Sequence, residues 1–170
     1  MTEPAADVAA SSAAAQVHVA LVGRRQTVAV AESLTGGLLA AALSETPGAS
    51  ATLRGGLVVY ATDLKASLAG VPAALLAEHG PVHPEVARAL ADGARSACAA
   101  DWGVGVTGVA GPEPQGGQPV GTLWVGVSQP GGSWVTPAHL AGSRAEIRAA
   151  AVRFALEALA GRLSGAEELG

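Results

Sequence analysis

The chain has 170 residues, 49% of them hydrophobic and 3% aromatic, with a formal net charge of -4. That length buries a core without disulfide support and fits one compact domain. The scarcity of aromatics excludes a base-stacking platform, and the negative balance without any run of Lys or Arg excludes a phosphate-backbone footprint, so no nucleic-acid partner is expected.

Residues 1–13 read as a tail, acidic and Ala-rich. Met1 to Ala15 has no basic stretch of the kind that opens a secretory signal, and no apolar run reaches membrane-spanning length, so a cytoplasmic protein without a membrane partner is expected. From about Ala14 to Gly23 the apolar residues fall on one helical face, with Gly23 as a stop. Thr27 to Ala31 (Thr-Val-Ala-Val-Ala) is a short β-rich run of the type covered on both faces. Leu38 to Leu43 follows as a helix, so Glu32 to Gly37 forms a strand-to-helix turn. A second strand is expected over Gly56 to Tyr60, then a helical turn from Thr62 that carries Lys65.

Pro72 and Pro84 each suit the first turn of a helix, the second running from Glu85 to Ala100. Cys98, flanked by Ala97 and Ala99, is the only cysteine; a buried, inert helical position is expected. Val104 to Thr107 is a third strand, and the Gly- and Pro-rich stretch from Gly108 to Pro119 is a long loop of the functional or mobile kind. Val120 to Val127 and Ser133 to Leu140 are strands joined across Pro130-Gly131-Gly132, which implies antiparallel pairing. Ser143 is the expected N-cap of a last helix reaching about Leu163, with Glu146 at the capping-box position, and residues 164–170 read as a second tail. Together these give an α/β fold: a three-layer α/β/α sandwich on a mixed, mostly parallel sheet of about five strands, filling residues 14–163. The histidines at 18, 79, 83 and 139 have no metal-ligand spacing, so neither a metal nor another cofactor is expected.

Nine of the ten basic residues are Arg, and Lys65 is the only lysine. Arginine stays protonated, whereas a lysine amine can lose its proton; a single retained Lys suits a general base. Codon bias thins lysines too, so composition alone leaves an ordinary surface cation equally open. Tyr60, the only tyrosine, stands five residues earlier. Ser33 and Thr35 precede Gly36 and Gly37 at a helix start, where backbone N–H groups can face an anion or an oxyanion. An isolated Ser-x-Thr-Gly-Gly serves as readily to cap that helix. Glu32 reads as structural, or as a hydrogen-bond partner of the turn. Thr107, before Gly108 at a strand end, lies where open α/β sheets bind ligands.

The ordered blocks Ala31 to Gly37 (Ala-Glu-Ser-Leu-Thr-Gly-Gly), Arg54 to Tyr60 with Lys65, Thr107 to Pro112, Pro119 to Trp124 and Gly142 to Arg144 resemble the CinA C-terminal domain family over about residues 14 to 163. The resemblance implies a three-layer α/β/α homodimer with nicotinamide mononucleotide (NMN) amidohydrolase activity. It implies Ser33 as nucleophile, Lys65 as its base and Tyr60 in support. It further implies active-site positions at Thr107 and Arg144, the arginine on the substrate phosphate or orienting polar groups, while the helix-start amides of Thr35, Gly36 and Gly37 are expected to hold the oxyanion and Gly108, after Thr107, to border the substrate. The family commonly has Ser-Asn where Ala61 and Thr62 stand and a serine at His83; the change at His83 is read as local and structural. The pyrophosphatase of longer CinA proteins is not implied. A nucleotide-binding regulatory domain, a stress- or competence-related interaction protein and a serine amidohydrolase for another carboxamide remain open.

Overall fold

The computed structural model describes the backbone of residues 5–165 and the side chains of residues 10–165. Its elements in chain order are α1 (Ala5–Arg24), β1 (Val28–Glu32), α2 (Leu38–Ser44), a 3-10 turn (Ala49–Ala51), β2 (Leu53–Val58), α3 (Thr62–Ser67), α4 (Ala73–His79), α5 (Pro84–Ala97), β3 (Trp102–Gly108), β4 (Thr122–Gln129), β5 (Gly132–His139) and α6 (Arg144–Gly165).

The five strands form one sheet in the order β2-β1-β3-β4-β5. β1 pairs in parallel with β2 and with β3, whereas the β3–β4 and β4–β5 pairs are antiparallel. Four strands therefore point one way and β4 alone opposes them. β1 feeds outward to β2 through α2, and β2 returns past β1 to β3 through α3, α4 and α5. Right-handed crossovers in opposite directions put α2 and α5 on opposite faces and open a crevice beside the carboxyl end of β1.

Side-chain size separates the two faces. Val28, Val30, Trp102, Val104, Val106, Leu123, Val125 and Val127 pack against α1, α2 and α6 in the larger core. The opposite face carries Ala29 and Ala31 under α5, and its positions in β3 and β4 include Gly103, Gly105 and Gly126. A Cβ on Gly105 or on Gly126 would stand 2.3 Å from the Ala87 carbonyl oxygen of α5. The helix thus rests directly on sheet backbone, closer than any side chain there allows.

Several boundaries differ from the sequence reading. α1 begins at Ala5, so residues 5–13 are helical and Ala13 and Ala14 are buried in the larger core; residues 1–4 lie outside the described residues. α6 runs to Gly165, and 166–170 likewise lie outside. β2 is displaced toward the N-terminus, with a register irregularity opposite Val28, so Tyr60 lies beyond the strand. α5 stops at Ala97 because Cys98 is its C-cap and Ala99 takes a left-handed φ of 49°. Cys98 is accordingly half-buried at a helix end and not inside the helix. At α6 the capping box forms: Glu146 accepts from the Ser143 N–H and hydroxyl, each at 2.7 Å, and Ser143 Oγ accepts from the Glu146 N–H at 3.4 Å. Among the described residues no helix is long and apolar enough to cross a membrane.

Candidate active site

The carboxyl ends of β1, β2 and β3 are laced together by two backbone bonds. The Ser33 N–H donates to Val106 O at 3.1 Å, and the Val59 N–H donates to Glu32 O at 2.9 Å. Ser33 is thereby fixed just past β1, between the other two strand ends. The turn that follows is held by Glu32, which is fully buried. Its carboxylate accepts from the N–H groups of Gly37, Leu39 and Ala40 at 2.9 to 3.0 Å, placing a negative charge on the N-terminus of α2.

Lys65 enters from α3 and is 1% exposed. Its Nζ donates to Val59 O at 2.8 Å, to Tyr60 O at 3.1 Å and to Ser33 Oγ at 3.1 Å. Burial lowers its pKa to about 8, against a smaller opposing effect from the Asp63 carboxylate. Once the amine is neutral, the two carbonyls hold its two N–H groups and the lone pair is left toward the Ser33 hydroxyl.

Above this pair, Tyr60 is 56% exposed, and its phenol oxygen accepts from Arg144 Nη2 at 2.7 Å. Arg144 Nη1 donates to Gly111 O, so one guanidinium ties the start of α6 to Tyr60 and to the Gly- and Pro-rich loop. Thr107, buried at the end of β3, donates its hydroxyl to Pro81 O at 2.7 Å. The result is a cleft of about 80 Å³, partly open to solvent, into which Ser33, Tyr60, Lys65, Thr107, Gly108 and Arg144 all face.

Thr35, Gly36 and Gly37 do not line the cleft. The Gly37 N–H is spent on Glu32, and the Gly36 N–H donates to Ser33 O at 3.1 Å. These glycines shape the turn instead, with φ values of 58° and 100°. Thr35 is fully buried, and its hydroxyl has no partner among the described residues. Of the helix-start amides from Thr35 to Gly37 expected to hold an oxyanion, those of Gly36 and Gly37 are therefore engaged elsewhere, whereas the amides of Leu34 and Thr35 donate to no group among the described residues. Sequence reasoning missed Leu34, Glu113 and Gln115 on the cleft wall. It also missed Arg148, which bonds Leu34 O and Thr35 O. Only the spacing of Arg148, one helical turn after Arg144, hints at a place near the site.

His83 sits outside the cleft wall as the N-cap of α5. Its Nδ1 accepts from the Glu85 N–H at 3.2 Å, and its ring stacks on His79 with centroids 4.1 Å apart. The imidazole occupies the position that a capping serine fills.

The same arrangement of strands occurs in proteins of known structure. A CinA superfamily protein from Klebsiella pneumoniae superposes with a TM-score of 0.89 at 31% identity, covering 92% of this chain and 98% of that one. A competence/damage-inducible protein from Agrobacterium tumefaciens gives 0.88 at 33% identity, covering 96% and 99%. A CinA-like protein of Frankia casuarinae is 50% identical over 145 residues, covering 85% of this chain and 34% of its own length. The chain thus spans about a third of the length of the curated relatives it matches. With the model of the CinA C-terminal domain matching residues 10–163, fold and sequence converge, and the chain belongs to the CinA C-terminal domain family.

Proposed function

We propose that this protein hydrolyses the carboxamide of nicotinamide mononucleotide, giving nicotinic acid mononucleotide and ammonia, through Ser33 and Lys65. The observation that carries the reading is the 3.1 Å contact between a buried lysine amine and a half-exposed serine hydroxyl at the floor of a cleft. An amine brought down to about 8 is neutral in a useful fraction near physiological pH, which an exposed lysine is not.

Ser33 Oγ attacks the carboxamide carbon as its proton passes to Lys65 Nζ. The tetrahedral oxyanion collapses, the Lys65 proton goes to the departing nitrogen, and ammonia leaves an ester on Ser33. Water then attacks that ester, giving a proton to Lys65, and Lys65 returns it to Ser33 Oγ as the acid is released. Tyr60 and Arg144 form the outer wall, where the guanidinium N–H groups not engaged by Tyr60 and Gly111 meet the substrate phosphate. Thr107 and Gly108 form the wall at the end of β3. In this reading the protein works in the cytoplasm as a homodimer on a small nucleotide, and the chemistry uses the chain's own groups without a cofactor.

A related reading, a serine amidohydrolase for a different carboxamide, is favoured by one observation: Ala61 and Thr62 beside Tyr60 are exposed and carry a reduced set of polar groups. Ammonia release from NMN, nicotinamide riboside and nicotinamide separates the two. NMN is expected to turn over fastest, and Lys65→Arg, which keeps the charge and loses the base, is expected to lower kcat at least about a hundredfold. NMN binding without ammonia release would identify a regulatory domain instead, and wild-type turnover in Lys65→Arg would remove the lysine from the mechanism.

A further inference from the structure

A serine hydrolase needs donors aimed at the oxygen that gains charge, and the turn after Ser33 leaves very few. The N–H of Ser33 is bonded to Val106 O, that of Gly36 to Ser33 O and that of Leu38 to Thr35 O. Those of Gly37, Leu39 and Ala40 are bonded to Glu32. In the stretch from Ser33 to Ala40 only the Leu34 and Thr35 amides remain, and the first belongs to the residue directly after the nucleophile, which lines the cleft.

Both amides lead back to one side chain. Arg148 Nε donates to Leu34 O at 2.9 Å, and that carbonyl shares its peptide unit with the Thr35 N–H. Arg148 Nη2 donates to Thr35 O at 3.0 Å; its peptide unit carries the Gly36 N–H, which donates to Ser33 O, whose peptide unit ends in the Leu34 N–H. Two hydrogen-bonded peptide relays thus start at a single guanidinium and end at the two amides. Each bond in such a relay fixes the plane of the next peptide and polarises it. Gly36 leaves room for this: a Cβ there would lie 3.2 Å from Arg148 Nη2.

We propose that Arg148 is a positioning residue that aims and polarises the amide of Leu34, the one of the two residues that lines the cleft, as the oxyanion donor of Ser33, and fixes the peptide plane of the Thr35 amide behind it. It touches no substrate atom and acts through the backbone. The inference rests on the serine-hydrolase reading for the existence of an oxyanion, though not on the identity of the carboxamide.

The test uses Arg148→Met and Arg148→Lys in the full chain, followed in two assays: ammonia release, and the rate at which a fluorophosphonate phosphonylates Ser33, read by intact mass. In the second assay the Ser33 O–P bond forms, fluoride leaves, the proton passes to Lys65 and the phosphoryl oxygen occupies the hole. Arg148→Met is expected to lower kcat and the phosphonylation rate together by about 10- to 100-fold with KM within about threefold, since the donor is misaimed and not removed. Added guanidinium, but not methylammonium, is expected to restore much of the loss. Arg148→Lys keeps the charge but cannot bridge two carbonyls, so it is expected to fall between; if Arg148→Met does not fold, this variant with its unchanged or lowered kcat decides. An unchanged kcat, a rise in KM alone, or a loss that follows Tm without guanidinium rescue overturns the proposal. Arg148-dependent phosphonylation in a protein that releases no ammonia would support the hole and refute the amidase reading. Ammonia release indifferent to Arg148 would do the reverse, and a wild-type Ser33 inert in both assays would refute both.

Discussion

Replacing Lys65 by Met tests the buried amine through stability, independently of any substrate. A folded-state pKa of about 8 against 10.5 for an ordinary lysine means that, below about pH 8, native and unfolded chains both hold the proton. The full cost of burying the charge is then present and independent of pH. Between about 8 and 10.5 only the unfolded chain keeps the proton, so stability rises with pH, by about 1.4 kcal/mol per unit and about 3 kcal/mol in all. This is opposite to a lysine stabilised by a partner, whose contribution fades as pH rises. In Lys65→Met this rise is absent, while every other titrating group is common to both proteins and cancels in the difference. The offset between them at pH 7 is expected to be small: the variant relieves the buried charge but leaves the Val59 and Tyr60 carbonyls without their donor, each costing about 1–3 kcal/mol. Urea unfolding of both proteins from pH 6.5 to 10.5 measures the difference, and a wild-type-minus-variant curve flat across that range would refute the lowered pKa and the supply of neutral amine it provides.

The same titration governs turnover: kcat/KM is expected to rise with pH to a plateau above about 8, and Asp63→Asn, by removing the carboxylate that holds the amine up, shifts the midpoint to lower pH in an ammonia-release profile. Glu32→Gln leaves one acceptor oxygen for three amides and sets an NH₂ group against an N–H; a loss of about 3 kcal/mol is expected, seen as a fall in Tm of about 10 °C by calorimetry. His83→Ser substitutes one N-cap for another, so stability is expected within about 1 kcal/mol and kcat within about twofold, and a large kcat loss would give His83 a part in the chemistry.

The layering, the strand-to-helix turn at Ser33 and the β4–β5 hairpin were legible because periodicity and glycine placement act locally. The meeting of Ser33 with Lys65 was not legible in composition, which left the one lysine among ten basic residues equally open as a surface cation; the family resemblance paired the two, and the contact itself depends on how β1 and β2 lie in the sheet. The start of α1 was missed because residues 5–13 are mostly alanine, whose helix propensity is high but whose amphipathic pattern is faint. The oxyanion donors were misplaced for a different reason. A glycine-rich helix start advertises free amides, yet Glu32 consumes them from one side and Arg148 takes the carbonyls from the other. Arg148 stands 115 positions after Ser33 in the chain, and only the packing of α6 against α2 brings its guanidinium to that turn.

Lys65 draws two of its three partners from Val59 and Tyr60, only six and five positions earlier. The base therefore travels with its own cradle: one short length of chain carries the proton acceptor, the oxygens that orient it and the tyrosine at the rim. The contact to Ser33, with the Val59 N–H bond to Glu32 O and the Arg144 bond to the Tyr60 phenol, brings that cassette into register with the remainder of the molecule. Changes in α4, or in the outer surface of α3, can accumulate without disturbing where the lone pair points, whereas a shift of β2 relative to β1 would carry base, cradle and rim away from the nucleophile all at once.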